Sequence, residues 1–184
     1  IIISAMGHHS NIVPWQMLCD KTGAKLKVIP INNDGTLNLD EYKSLLNPNV
    51  KFVFVNHVSN TLGTINPIEY IIELAHKNKS QVLVDGAQGA AHIKTNLMDL
   101  NVDYYVASAH KLCGPTGVGF LYGKSKLLES LPAYQGGGEM ISTVTFDRTE
   151  YAELPHKFEA GTPNIAGVIG FGVALDYMNS IGFE

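Results

Sequence analysis

The sequence is poor in cysteine, in charge and in long apolar runs, and each shortage removes a class of function. Its 184 residues contain two cysteines, Cys19 and Cys113, too few for a disulfide scaffold and without zinc-ligand spacing, so reduced thiols in a reducing compartment are expected. Charged residues make up 16%, and 13 basic against 17 acidic side chains leave a net charge of -4. The basic residues are scattered, so nothing draws the chain to nucleic acid or to an anionic membrane. No apolar run approaches the roughly 20 residues that cross a bilayer. The opening Ile1-Ile2-Ile3-Ser4 has no basic region or cleavage site of a secretory leader and reads as a strand, so a soluble protein is expected. No HExxH or similar histidine pair is present.

What the sequence does have is a large apolar fraction, 45%, and eighteen glycines, many in GxG or GGG clusters. The first suits one well-packed domain. The second suggests tight turns and close backbone approach. Short β-rich runs occur at Ile1–Ser4, Leu26–Ile31, Lys51–Asn56, Gln81–Asp85, Tyr104–Ser108 and Val118–Tyr122. Between them, Val13–Lys21, Leu39–Leu46 and Pro67–Lys77 suit helices. Asn11 is placed to cap the first, with Pro14 in its opening turn, and Asn66 to cap the third, with Pro67 at its first position. Asn33-Asp34-Gly35 is a turn signal. The Val82-Leu83-Val84 run does not alternate, which implies cover on both faces. Together these elements predict an α/β fold: a mostly parallel (mixed) central sheet with helices on both faces. After Gly136-Gly137-Gly138 comes a Ser/Thr-rich run, and then a glycine-spaced apolar helix over Ile165–Tyr177, whose glycines permit close packing at a cost in helix stability.

Three polar clusters fall where strands end: Asn56–Asn60, Asp85–Gln88 and Ser108–Lys111. Ligands of open α/β sheets bind outside the carboxyl ends of the strands, so three clusters in one chain indicate a shared site. Lys111 sits between an apolar strand and Gly114-Pro115-Thr116-Gly117. It is either an ordinary surface lysine or one held in a cleft, where it can form a Schiff base with a carbonyl cofactor. Asp85 can cap the following turn, bind a metal, or pair with a protonated pyridine nitrogen; no second and third carboxylates stand nearby for the metal. Gln88, three residues on, is within reach of the same ligand. His8 and His9 follow the first strand, and one imidazole can stack on a planar cofactor.

These residues resemble the pyridoxal-phosphate-dependent cysteine desulfurases of the class V aminotransferase superfamily, nearest to the SUF-type branch that includes selenocysteine lyases. The likeness runs through His8-His9-Ser10-Asn11-Ile12-Val13-Pro14-Trp15, His57-Val58-Ser59-Asn60, Asp85-Gly86-Ala87-Gln88 and Ser108-Ala109-His110-Lys111. It continues through Gly114-Pro115-Thr116-Gly117 and Phe158-Glu159-Ala160-Gly161-Thr162-Pro163-Asn164.

The resemblance implies the large domain of the fold type I transferases that use pyridoxal 5'-phosphate. It implies Lys111 as the covalent anchor and proton carrier, Asp85 on the pyridine nitrogen and His8 stacked on the ring. Gln88 and Asn60 would touch the ring hydroxyl and substrate region, and Ser108 and His110 would form part of the phosphate cup. His110 would orient the phosphate or help move protons. Thr162 would reach the phosphate of a neighbouring subunit, which implies a homodimer with shared sites.

The implied reaction turns L-cysteine into L-alanine and passes the sulfur to an enzyme cysteine as a persulfide, for iron–sulfur cluster assembly through a sulfur-acceptor protein. Selenocysteine is the alternative substrate. Kynureninase-like and epimerase chemistries, or a non-catalytic domain keeping the fold, are the other readings. The implied compartment is the cytoplasm or an organelle of bacterial ancestry such as a plastid. Family members are about twice this length, so residues 1–184 are expected to be the central part of the large domain. An N-terminal segment and a C-terminal small domain carrying the nucleophilic cysteine and a carboxylate-binding arginine would lie outside it. Cys113 is not assigned that role, and Cys19 is expected to be buried. Gly7 and Ala109 depart from common family residues.

Overall fold

In the computed structural model, which describes residues 1–183, six strands form one sheet in the order β2-β1-β3-β4-β5-β6. They are β1 (Ile2–Ser4), β2 (Lys27–Ile29), β3 (Phe52–Asn56), β4 (Gln81–Asp85), β5 (Tyr104–Ser108) and β6 (Gly119–Gly123). The first five run parallel, and β6 is antiparallel to β5. The sheet is therefore mixed and mostly parallel, as the strand composition predicts. Helices α1 (Val13–Thr22), α2 (Leu39–Leu45), α3 (Ile68–Lys77), α4 (Gly89–His92), α5 (Leu97–Leu100), α6 (Ser125–Ser130) and α7 (Ile165–Ile181) connect and cover it.

Alternation along the strands divides the two faces. Val53 and Val55 of β3, Val82 and Val84 of β4 and Tyr105 of β5 share one buried cluster with Tyr42 of α2 and Ile68, Ile71, Ile72 and Ala75 of α3. Phe54 points the other way and stacks on Trp15 of α1, with ring centroids 3.6 Å apart and planes 12° from parallel. A second buried cluster joins Ala107, Ala109 and Leu112 to Phe171 and Ala174 of α7. Gly167 and Gly114 make that contact possible: a Cβ on Gly167 would come within 2.6 Å of Val118, and one on Gly114 within 3.0 Å of Phe171. The α7 glycines thus serve close packing, and the helix continues past Tyr177 to Ile181.

Two capping expectations are corrected. Asn11 does not cap α1; its Oδ1 accepts from Trp15 Nε1 at 3.0 Å, and Ile12 takes the capping position, with Pro14 in the first turn. Asn66 does not cap α3 either, and Pro67 takes the capping position. The Asn66 amide instead donates to the Asn56 carbonyl at 2.8 Å, tying the start of α3 to the end of β3. Asn11 thus serves a side chain in the first turn of α1 rather than a backbone amide, and Asn66 serves the preceding strand. Cys19 is half-buried rather than buried, because α1 presents no fully buried side chain. The Asn33-Asp34-Gly35 turn forms, with Gly35 at φ +82° and Asp34 Oδ1 accepting from the Thr36 amide at 3.0 Å. The Ser/Thr-rich run pairs as an antiparallel hairpin, β7 (Ile141–Val144) with β8 (Thr149–Tyr151), which the composition did not reveal.

Candidate active site

The chain leaves β1 toward β2 on one side and returns to β3 on the other, so a topological switch point lies between β1 and β3. Open α/β sheets form their ligand crevice at such a point, beyond the carboxyl ends of the strands. A cavity of about 580 Å³ opens there and extends across the ends of β4 and β5. Its lining brings together His8 after β1, Asn60 after β3, Asp85 and Gln88 at the end of β4, and Ser108, His110 and Lys111 at the end of β5. The three strand-end clusters thus converge on one space, joined by the segment after β1. Thr162 does not line it; it is exposed on the segment before α7.

Each wall has a local cause. His8 Nδ1 accepts from the Ser10 amide at 3.2 Å, which fixes the imidazole over a single 3-10 turn, His9–Asn11. That turn aims His8 into the cavity, while His9 is not part of the lining. Lys111 ends a second 3-10 turn, Ala109–Lys111, whose start is anchored by the buried Ala109. Lys111 is half-buried, and among the described residues no carboxylate lies within ion-pair distance of its Nζ. Lys111 therefore lies in the cleft and not on the open surface. Cys113, two residues on, is exposed and in the left-handed region at φ +59°.

The loop that carries Asp85 and Gln88 rests on a buried His57–Tyr105 pair that the sequence did not single out. Tyr105 Oη lies 3.3 Å from His57 Nδ1, and the rings meet edge to face at 81°. A Cβ on Gly86 would fall inside the Tyr105 ring, and one on Gly89 would come within 2.5 Å of His57 Nδ1. The two glycines let the backbone settle on the aromatic pair, while Asp85 Oδ1 accepts from the Ala87 amide at 2.9 Å. Burial pushes the His57 imidazole below its ordinary value, with Glu69 pulling the other way. Burial, and then the charge of Asp85, pushes the Tyr105 phenol up, so both partners are neutral at ordinary pH. A neutral seat leaves Asp85 as the charge at this end of β4.

Asn11 and Trp15 also line the cavity, with no role assigned to them from the sequence, and Asn56, placed there only as part of a strand-end cluster, joins them. Asn56 is next to Asp85 in the parallel register, on the same face as Phe54, and strand parity was the signal that places it there. Among the described residues no group of three or more His, Cys, Asp or Glu side chains is arranged to hold a metal ion. No helix among the described residues is long and apolar enough to cross a membrane.

The family model described as aminotransferase class-V matches residues 1–184. The chain belongs to the class-V aminotransferase family. This class-V chain is 52% identical to a cysteine desulfurase of Cronobacter sakazakii over its whole length, which is 46% of that protein. Among solved structures, the cysteine desulfurase CsdA of Escherichia coli superposes with a TM-score of 0.93 at 43% identity, covering 96% of this chain and 44% of that one. A mutant of the cystine C–S lyase C-DES, with glycine covalently linked to its PLP cofactor, superposes with a TM-score of 0.88 at 25% identity, covering 99% of this chain and 49% of that one. The sheet and its helices are thus the fold type I arrangement of the PLP-dependent transferases. The chain spans about half the length of the relatives it matches.

Proposed function

We propose that this chain is the central part of the large domain of a pyridoxal-phosphate-dependent cysteine desulfurase, with the nucleophilic cysteine and an N-terminal segment supplied by parts of the protein outside residues 1–184. The observation that carries the reading is the convergence of Lys111 and Asp85 on one cavity in a chain 52% identical to a cysteine desulfurase. The cofactor fits the residues present. The cavity volume lies in the range of roughly 300–1,000 Å³ typical of small-ligand sites. An ionisable amine and a carboxylate face it from adjacent strands, and buried amide groups of Asn11 and Asn56 at its wall lack partners among the described residues.

Lys111 would hold the cofactor covalently, Asp85 would accept a hydrogen bond from its protonated ring nitrogen, and Gln88 and Asn60 would contact the ring hydroxyl and substrate region. His8 would lie against the ring face, and Ser108 and His110 would hold the phosphate. The bound cofactor would supply an electron sink for charge developing at the substrate α-carbon. Lys111 would carry the proton to and from that carbon, and the Asp85 carboxylate would keep the ring nitrogen protonated. The sulfur of L-cysteine would pass to an enzyme thiolate as the Cβ–S bond breaks and Cβ takes up a proton, leaving L-alanine. The exposure of Thr162 outside its own cavity supports a role toward the phosphate of a second copy, hence a homodimer.

The test is a visible absorption spectrum of the intact protein with pyridoxal phosphate. A bound-cofactor band is expected, together with alanine and sulfide release from L-cysteine, and both should vanish in Lys111→Ala. An unchanged band in Lys111→Ala would overturn the anchor, and turnover of selenocysteine without cysteine would overturn the substrate.

A further inference from the structure

Four buried side-chain polar atoms lack a hydrogen-bond partner among the described residues: Asn11 Nδ2, Asn56 Nδ2, Asn56 Oδ1 and Asn66 Oδ1. An unpaired buried amide group costs on the order of 1–3 kcal/mol, so such groups persist where something else satisfies them. Three of the four belong to two residues that line the cavity, and both side chains are more than nine-tenths buried, Asn11 at 5% and Asn56 at 3% exposure.

Their chemistry is complementary and runs in one direction. Trp15, held by its stack on Phe54, already donates to Asn11 Oδ1 at 3.0 Å. That bond fixes which end of the Asn11 amide is oxygen and leaves its Nδ2 as a donor. Asn56 offers one acceptor and one donor. Asp85, paired with Asn56 in the strand register, has Oδ1 engaged by the Ala87 amide, which leaves Oδ2 for a further donor. From these observations we infer that Trp15, Asn11, Asn56 and Asp85 form a hydrogen-bond relay that closes when a ligand with a protonated aromatic nitrogen binds Asp85. Asn11 Nδ2 donates to Asn56 Oδ1, Asn56 Nδ2 donates to Asp85 Oδ2, and the carboxylate is held facing the ring nitrogen. Asn56 is a positioning residue that acts through Asp85. The inference rests on the cofactor reading above and adds residues to it.

The relay separates folding from binding, and the experiment uses that separation. In the intact protein, Asn56→Leu removes two unpaired buried groups while keeping the volume. The melting temperature without cofactor should therefore hold or rise, whereas a structural hydrogen-bonding role would lower it. Affinity for pyridoxal phosphate, read from the visible band, should fall about tenfold, as expected for loss of a bond to a charged group. Asn56→Thr keeps one donor and should recover part of the loss; it also serves if the leucine variant does not fold. The effect of either substitution should largely disappear in an Asp85→Asn background, because the relay ends on that carboxylate. Equal losses in both backgrounds, or full affinity in Asn56→Leu, would overturn the relay. A wild-type protein that gives no band would instead overturn the cofactor reading, and the relay with it.

Discussion

At the N-terminal ends of β4 and β5, Asp103 is buried to 5% exposure and three donors satisfy it: His76 Nε2 at 2.9 Å, Lys124 Nζ at 2.8 Å and the Val82 amide at 2.8 Å. At the C-terminal ends, Asp85 is half-buried with one such bond, and neighbouring amides stand unpaired. The same two strands carry both arrangements, so the contrast does not come from strand chemistry. It comes from what each end must do. The Asp103 end ties α3, β4, β5 and the residue after β6 into one unit, and full pairing there offsets the cost of burying a charge. The Asp85 end keeps its polar groups open in a cavity, where a ligand can complete them. A closed network holds a sheet together; an open one is available for binding.

Removing the closed network should give the largest effect. Asp103→Ala leaves the Lys124 ammonium and the Val82 amide without their shared acceptor, and loss of one partner from a buried pair costs on the order of 3–5 kcal/mol. Denaturant unfolding should show that loss. The pH dependence carries the same signature. Burial raises the Asp103 carboxyl, but hydrogen bonds from Lys124, His76 and Val82 outweigh it and hold the group below the usual carboxylate range. Its contribution is therefore present above the unfolded carboxyl value of about 3.9 and is lost as pH falls through the lower folded value. The acid limb of the stability profile should flatten in Asp103→Ala; an unchanged limb would show that other carboxylates govern it.

An intermediate effect is expected where the two designs meet, at the seat of the Asp85 loop. Gly86→Ala drives a methyl group into the Tyr105 ring, and overpacking of this kind costs about 1–3 kcal/mol. Because the displaced backbone carries Asp85 and Gln88, cofactor affinity should fall together with stability. A loss of stability alone would separate the seat from the site.

The extent to which these features were legible in the sequence follows from how local their causes are. The β3, β4 and β5 runs and the clusters at their ends depend on neighbouring residues, and so Asp85, Gln88, Ser108 and Lys111 could be gathered into one site before any fold was seen. The Asp103 network depends on residues 21 and 27 positions away along the chain, and no short pattern marks it. The same is true of His57 and Tyr105, 48 residues apart. Asparagine before a helix predicts a bond to a backbone amide of the first turn, but Asn11 accepts from the Trp15 indole and Asn66 donates to the end of β3, and sequence alone does not rank these competing partners. The β7–β8 hairpin was missed for a related reason: its strands are exposed and polar, without the apolar alternation that marks a half-buried strand.

The smallest stability effect should fall at the open end, and it tests the comparison most directly. Asp85→Asn keeps the side-chain oxygen that accepts from the Ala87 amide, removes a charge that no cation pairs among the described residues, and barely changes volume. Unfolding without cofactor should therefore shift by no more than about 0.5 kcal/mol, the range of substitutions that break no buried network. Pyridoxal phosphate binding should nevertheless weaken, because a neutral amide cannot keep a ring nitrogen protonated as a carboxylate does. Equal stability losses in Asp85→Asn and Asp103→Ala would mean that both ends of the sheet are structural. A binding loss with stability retained would place the function of these strands at their carboxyl ends.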